Sequence, residues 1–372
     1  MNVQHFDVVV IGAGMAGATS AANLAMRGLR VALLEAEESA GYHSTGRSAA
    51  IWILNYGSPD ARLLTAVSRG FYESPPPGFC DAPLLSRRPV VTLAQEADVA
   101  ALERMISDGV GIEPISVADV AAMGPPLHPG YAAAAAIERE SFDIDVAALH
   151  AGYLRTLRTA GGTLATRHRA DRLDHDGAWL AETSGGATFG APVLVNAAGA
   201  WGDEVAALAG VPRIGLQPKR RTAIIVDPAP HDCAAWPLLG DVGHSWYVRP
   251  EARRKLMVSP ADETDTDPCD AQPEEIDVAV AVDRMGAALD IPVRRVEHRW
   301  AGLRSFTPDR GLAIGEDPDA PGFFWMVGQG GYGIQTAPAA GALLAALVTG
   351  DDPGGLAPVV PLVDPARFRR TA

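Results

Sequence analysis

FDVVVIGAGMAGATSAANLAMRGLRVALLE, residues 6–35, decides the fold of this 372-residue chain. Residues 6–11 form a continuous apolar run, as in a parallel strand buried on both faces. Gly12, Gly14 and Gly17 follow as G-x-G-x-x-G. A helix of small residues then runs from about Met15 to Arg27 and stops at Gly28. Residues 30–35 give a second strand ending at Glu35. The pattern is the opening of a dinucleotide fold. Gly12 permits the tight turn, Gly14 lets backbone N–H groups approach a pyrophosphate, and Gly17 lets the helix pack close to the strand. The helix N-terminus adds partial positive charge, and Glu35 is placed to accept from ribose hydroxyls. The bland alternative is a tight turn in a glycine-rich chain, which would not need an acid at the end of the second strand.

Three further segments favour a long dinucleotide, FAD, over NAD. GYHSTGRSAA (41–50) supplies Ser44, Thr45, Arg47, Ser48 and Ala49, suited to a pyrophosphate and ribityl chain. VLVNAAGAW (193–201) is a strand running into Ala198, Gly199 and Trp201, small residues that leave space beside a cofactor. GQGGYGIQT (328–336), with Gly330, Tyr332, Gly333, Ile334, Gln335 and Thr336, is a glycine loop before the last helix, whose start favours negative charge. His168 is a further cofactor-side candidate. A helix is expected near 145–159, with Val146, Leu149, Tyr153 and Leu157 on one face and Asp143 or Asp145 as its cap.

Working outward, the chain divides into two interleaved parts. Residues 1–80, 143–215 and 305–372 read as a discontinuous FAD-binding domain, and 81–142 with 216–304 as a substrate domain. Residues 216–300 alternate like antiparallel strands, as in RTAIIVD and SWYVRP, while 75–140 carry many prolines and weak periodicity. The fold class is therefore α/β: a Rossmann-like domain plus a mixed or antiparallel sheet domain. The net charge of −14 argues against nucleic acid or an anionic membrane as partner. Residues 338–348, the longest apolar stretch, are too few to span a bilayer, and no signal peptide is expected at the N-terminus. Cys80, Cys233 and Cys269 lie far apart with no metal-ligand spacing, so free thiols, no metal and a cytoplasmic location are expected.

With GYHSTGRSAA, PPGFCDAPLLS, LVNAAGAW, GLQPKRR, AGLRSF and QGGYGIQT in view, the chain resembles the D-amino-acid oxidase superfamily from end to end. Within it the chain is most similar to the bacterial FAD-dependent D-arginine dehydrogenases. The resemblance implies FAD lying extended between two domains and hydride transfer from a substrate Cα to flavin N5, giving an imino acid and then a 2-oxo acid. It implies a carboxylate clamp of Arg221, Arg304 and Tyr247, with Tyr56 covering the substrate, a Gly331 carbonyl facing its amine, and Gln335 in the same site. It also implies non-covalent FAD, because Ser305 and Thr307 stand where flavin-tethering relatives carry a cysteine. The substrate is then a small-molecule amino acid or amine; the electron acceptor is unknown.

The residues support the clamp separately. An arginine set between Leu303 and Phe306 is costly without an anion. Its planar fork fits a carboxylate. The alternative for Arg304 is a structural ion pair, and Arg221 beside Lys219 and Arg220 could belong to a solvated basic strand. The chain departs from the arginine-specific pattern at three positions: Val90 replaces a glutamate, and Ile51 and Ile53 replace a histidine and a threonine. Together with Leu238 these predict an apolar substrate pocket, and poor turnover of D-arginine and D-lysine. Trp52 and Trp246 are further candidate walls. The expected reaction is oxidative deamination of a D-amino acid with an apolar or bulky side chain by a dehydrogenase. The alternative is an oxidase of secondary amines or N-alkyl amino acids, in which Lys255 would sit above the flavin. A non-catalytic flavin-binding protein is the third reading.

Overall fold

The computed structural model describes residues 3–369. Its central sheet has the strand order Thr163–Ala165, Val31–Leu34, Val8–Ile11, Val193–Asn196, Phe323–Val327 and Ala313–Glu316. The strands pair in parallel except the last. Side chains alternate across the pleat, and both faces are covered. Val8, Val10, Val31 and Leu33 pack with the helices Met15–Met26, Val146–Thr159 and Ala337–Thr349. Val9, Ile11, Ala32 and Leu34 pack on a smaller sheet carrying Leu173, Trp179 and Phe189. That two-sided burial is why the strand Val8–Ile11 carries no polar alternation, whereas Asp7 just before it pairs with Arg30.

The first helix ends at Met26, one residue before the expected stop, with Gly28 at φ +85° beyond it. The 146–159 helix is capped by Asp145, whose carboxylate accepts from the Ala148 N–H at 2.8 Å; Asp143 is not the cap. Asp143 instead lies between Arg88 (2.8 Å) and Arg249 (3.0 Å).

The second sheet runs Thr264–Asp265, Gln217–Val226, Lys255–Ser259, Tyr247–Glu251, Leu238–Asp241, Val90–Ala94, Ala134–Glu138 and Ile112–Ile115, with Val296–Phe306 antiparallel along Gln217–Val226. Glu275–Ala288 covers one face, burying Val278, Ala281 and Met285 against Ile224, Leu256 and Val258. Three of these strands come from the segment of weak periodicity before residue 140. The long Val296–Phe306 strand carries the chain back to the first sheet, and Arg304 stands near its end. The cavity-lining face of the second sheet lies against the segments that follow the parallel strands, where ligands collect in open α/β sheets.

Candidate active site

A single cavity of about 1610 Å³ joins the two sheets, larger than the usual range for small-ligand pockets. At one end lies the first glycine turn. Gly12 has φ +99°, and a Cβ there would fall 2.6 Å from the Ala197 carbonyl oxygen. A Cβ on Gly17 would fall 1.8 Å from the Gly12 carbonyl oxygen, so the helix touches the turn. Glu35 accepts from the Ala13 and Glu37 N–H groups, each at 3.0 Å. Burial raises its carboxyl above the ordinary value against those hydrogen bonds. His150, which sequence reasoning passed over, brings Nε2 to 3.0 Å from the Ala13 carbonyl oxygen and braces the turn from behind. The Thr45 hydroxyl accepts from the Met15 N–H at 2.9 Å, fixing the 41–50 segment on the helix start.

At the other end stand the two arginines. In the antiparallel register Lys219 faces Arg304 and Arg221 faces Gly302, while Arg220 points to the opposite side and pairs with Glu274 and Asp277. Arg304 donates through Nη1 to the Tyr56 hydroxyl at 3.0 Å. Among the described residues no carboxylate oxygen lies within 4.0 Å of it, so the ion-pair alternative does not hold there. Arg221 is more tied: its Nε donates to the Asp262 carbonyl at 2.7 Å, and Glu263 is 3.5 Å from Nη2. Burial, then the neighbouring Arg304 charge, lowers the Arg221 pKa. Burial pushes the Tyr247 phenol up, but Arg304 and Arg221 outweigh it and hold it below its ordinary value. Gly331 crowds this group: a Cβ there would lie 2.7 Å from Arg304 Nη1 and 2.8 Å from the Tyr56 oxygen. No larger residue fits without moving the clamp.

Ile51, Ile53, Val90 and Leu238 all line the cavity. They do not enclose an acid-free space. Leu238 pairs with Val90, and Val90 pairs with Glu138, which lines the same cavity. Trp246 also lines it, with its indole N–H donating to the Tyr131 hydroxyl at 2.9 Å. Trp52 is not a wall: it is 2 % exposed and donates to the Thr65 carbonyl within the helical core. Lys255 is held by Glu297 at 2.9 Å and Asp227 at 3.0 Å, away from the cavity. His298 stacks on Trp300 at the surface, and His43 pairs with Glu37 beside Trp201. No cysteine lines the cavity among the described residues. Nor, among them, does any cluster of three or more His, Cys, Asp or Glu side chains suit a metal, and no helix is long and apolar enough to cross a membrane.

A family model described as FAD dependent oxidoreductase, DAO, matches residues 7–347. The chain belongs to that family. Glycine oxidase of Pseudomonas aeruginosa is 27 % identical over 97 % of this chain and 97 % of its own length. D-amino-acid oxidase of Streptomyces coelicolor is 28 % identical over 89 % and 93 %. Other curated relatives are longer: the chain spans 35 % of the bovine (Bos taurus) FAD-dependent oxidoreductase domain-containing protein 1, and 43 % of an anaerobic glycerol-3-phosphate dehydrogenase polypeptide from Escherichia coli. Among solved structures, glycine oxidase from Geobacillus kaustophilus superimposes with a TM-score of 0.84 at 22 % identity, covering 96 % of this chain and 98 % of that one. L-proline dehydrogenase from P. horikoshii gives 0.83 at 21 %, covering 99 % of each. These likenesses establish the D-amino-acid oxidase fold.

The DAO family uses FAD, and the cavity fits it on this chain's own geometry. The glycine turn is a cradle that a Cβ at Gly12 would close, with Glu35 at one side. The residues fitted to hold the cofactor are Gly12, Gly14, Glu35, Ser44, Thr45, Ser48, Ala49, His168, Ala198, Gly199, Trp201, Gly330, Tyr332, Gly333 and Ile334, all on the cavity wall. Of the other expected contacts, Arg47 and Gln335 line the cavity, whereas Gly17 and Thr336 do not. The Arg47 guanidinium donates to the Ala271 and Ala301 carbonyls and pairs with Asp270, so it also staples the cofactor loop to the second sheet. Gln335 donates to the Ile53 carbonyl (3.2 Å) and the Thr65 hydroxyl (2.8 Å) and accepts from the Ile53 N–H (3.2 Å), which fixes the pocket segment. Thr336 is fully buried, its hydroxyl donating to the Tyr332 carbonyl at 2.9 Å.

Proposed function

We propose that this FAD-dependent oxidoreductase oxidises the Cα–N bond of a D-amino acid with an apolar or bulky side chain. The observation that supports the reading most directly is the cavity-lining Arg304 guanidinium, free of any carboxylate within 4.0 Å. A charge so enclosed calls for an anion from outside the chain. Arg304 offers the fork, Arg221 a second cation and Tyr247 a hydroxyl, a set that matches one substrate carboxylate. Tyr56, already bonded to Arg304, then covers the substrate, and the Gly331 carbonyl is the acceptor for its amine. Bound FAD supplies the two-electron acceptor. The chain's own contribution is orientation, charge placement and exclusion of water. No side chain on the cavity wall is assigned as a strong base. The product leaves as an imino acid, which water hydrolyses to a 2-oxo acid and ammonia.

A second reading, oxidation of N-alkyl amino acids, uses the same clamp and draws on the full-length likeness to glycine oxidase. The oxidase branch expected a lysine over the flavin, and Lys255 is engaged elsewhere; we therefore favour a dehydrogenase. The test is anaerobic bleaching of the flavin by a panel of D-, L- and N-alkyl amino acids. Bleaching by D-amino acids carrying aliphatic or aromatic groups supports the first reading. Bleaching confined to N-alkyl or L-substrates overturns it.

A further inference from the structure

Glu138 ends the Ala134–Glu138 strand and sits directly opposite Val90 on one neighbour and Ile112 on the other. Residues facing each other across paired strands share a face, and all three line the cavity. Glu138 is only 7 % exposed. One carboxylate oxygen accepts from the Leu54 N–H at 3.1 Å, and among the described residues no basic nitrogen lies within 4.0 Å of it. Burial raises its carboxyl, against hydrogen bonds from Asn55 and Leu54. Arg62 reaches the same cavity; its Nε donates to the Gly57 carbonyl, and its charge acts on Glu138 from beyond 4.0 Å, lowering the carboxyl less than burial raises it. The surroundings are otherwise apolar: Ile51, Ile53, Val90, Met105, Ile112 and Leu238.

A carboxyl group enclosed by aliphatic side chains is unfavourable unless a donor or cation meets it. Donors from Leu54 and Asn55 meet the carboxyl, but no basic nitrogen pairs with its charge within 4.0 Å among the described residues, which leaves it able to take a cation. The strands place it well for a ligand's far end. From the Tyr247 strand to the Glu138 strand there are three steps of about 4.8 Å, roughly 14 Å in all. Tyr247 is level with Ala136, two residues before Glu138, and both side chains line the cavity, so a long substrate side chain can run between them.

We infer that Glu138 is a specificity-determining residue that receives a cationic donor, a primary amine or guanidinium, at the end of the substrate's side chain. The stem of that side chain lies on Ile51, Ile53, Val90 and Leu238. This rests on the amino-acid reading above, and it reverses the expectation that D-lysine and D-arginine are turned over poorly. That expectation considered positions 51, 53, 90 and 238 and missed the acid opposite Val90 on the next strand.

The test compares D-lysine with D-norleucine, which lacks only the terminal amine, on the holoenzyme and on Glu138→Gln. Glutamine keeps an acceptor for the Leu54 N–H but removes the charge. In the unmodified protein kcat/KM favours D-lysine, and the substitution lowers the D-lysine to D-norleucine ratio by about 10- to 100-fold, the span of one hydrogen bond to a charged group. A ratio that already favours D-norleucine overturns the inference. So does a substitution that lowers both substrates by one factor, since that is the signature of a mere anchor for residues 54–57. Titrating the oxidised flavin spectrum with 6-aminohexanoate and hexanoate separates the two proposals. If no amino acid bleaches the flavin, yet the preference for 6-aminohexanoate is present and vanishes in Glu138→Gln, the reaction assigned above falls and the Glu138 site stands.

Discussion

Arg304→Met should separate activity from stability in opposite directions. A carboxylate bound by the Arg304 fork gains up to two charge-assisted hydrogen bonds, each about 1.5–3 kcal/mol. Their loss is about 3–6 kcal/mol, or roughly 10²–10⁴ in kcat/KM at about 1.4 kcal/mol per tenfold. Arg221 remains as a second cation, although Asp262 and Glu263 already engage part of it. The loss should therefore fall in the lower part of that range, about 10²–10³. Arg304→Lys keeps the charge but not the fork, and about one of the two bonds, so roughly 10- to 100-fold is expected. The assay is stopped-flow anaerobic flavin reduction, giving the substrate Kd and the limiting rate separately. Thermal unfolding of the same proteins provides the second readout. Because no acid lies within 4.0 Å of Arg304 and its partner there is the neutral Tyr56 hydroxyl, removing its charge strands no buried carboxylate, and replacing it with an apolar side chain should leave Tm unchanged or raised. A Met variant that keeps kcat/KM within about threefold, or that loses several degrees of Tm while still turning over normally, refutes the assignment.

Gly12→Ala should give a protein that purifies without yellow colour, because φ +99° and an oxygen 2.6 Å from the new Cβ force the turn open; the 450 nm absorbance per protein measures this, and full flavin content would contradict it. Lys255→Met should leave the rate of peroxide formation under air unchanged, since its ammonium is bound to Asp227 and Glu297; a large drop in an oxygen-electrode assay would restore the oxidase reading. Glu138 titrates higher folded than unfolded, so the native state binds more protons through the intervening range. Its contribution to stability is present in full below the ordinary carboxylate value near 4.5 and is lost as pH rises through the raised one. Tm measured across this range should therefore fall less with rising pH in Glu138→Gln than in the unmodified protein, and equal slopes would deny the shift.

The cofactor end was legible because its chemistry is local. Gly12, Gly14, Gly17 and Glu35 lie within one strand–helix–strand unit, and their roles follow from spacing. The bonds Arg47 makes within the chain were not legible, for the converse reason. It stands among hydroxyls in a segment suited to phosphate, and its partners Asp270, Ala271 and Ala301 lie over two hundred residues away. Glu138 was invisible because it follows a run of alanines and reads as the solvated end of a weak strand. Only its pairing with Val90 and Ile112 turns it inward. Trp52 shows the same limit. Its place after the 41–50 segment suggested a wall, and its hydrogen bond to the Thr65 carbonyl holds it in the helical core.

The parallel sheet has a consequence for how the polypeptide is made. Val8–Ile11 neighbours Val193–Asn196, which neighbours Phe323–Val327, and Thr19 on the first helix donates to the Ala337 carbonyl at 3.1 Å. Segments near residues 8–19, 193–196 and 323–337 are thus joined in one core, with loops of more than a hundred residues to close before it exists. A ribosome-bound chain cannot complete the parallel sheet until the strand Phe323–Val327 has emerged. Until then the apolar strand at residues 8–11 waits without its partners, and growth temperature and chaperone supply, more than any single contact, should govern how much yellow protein a cell recovers.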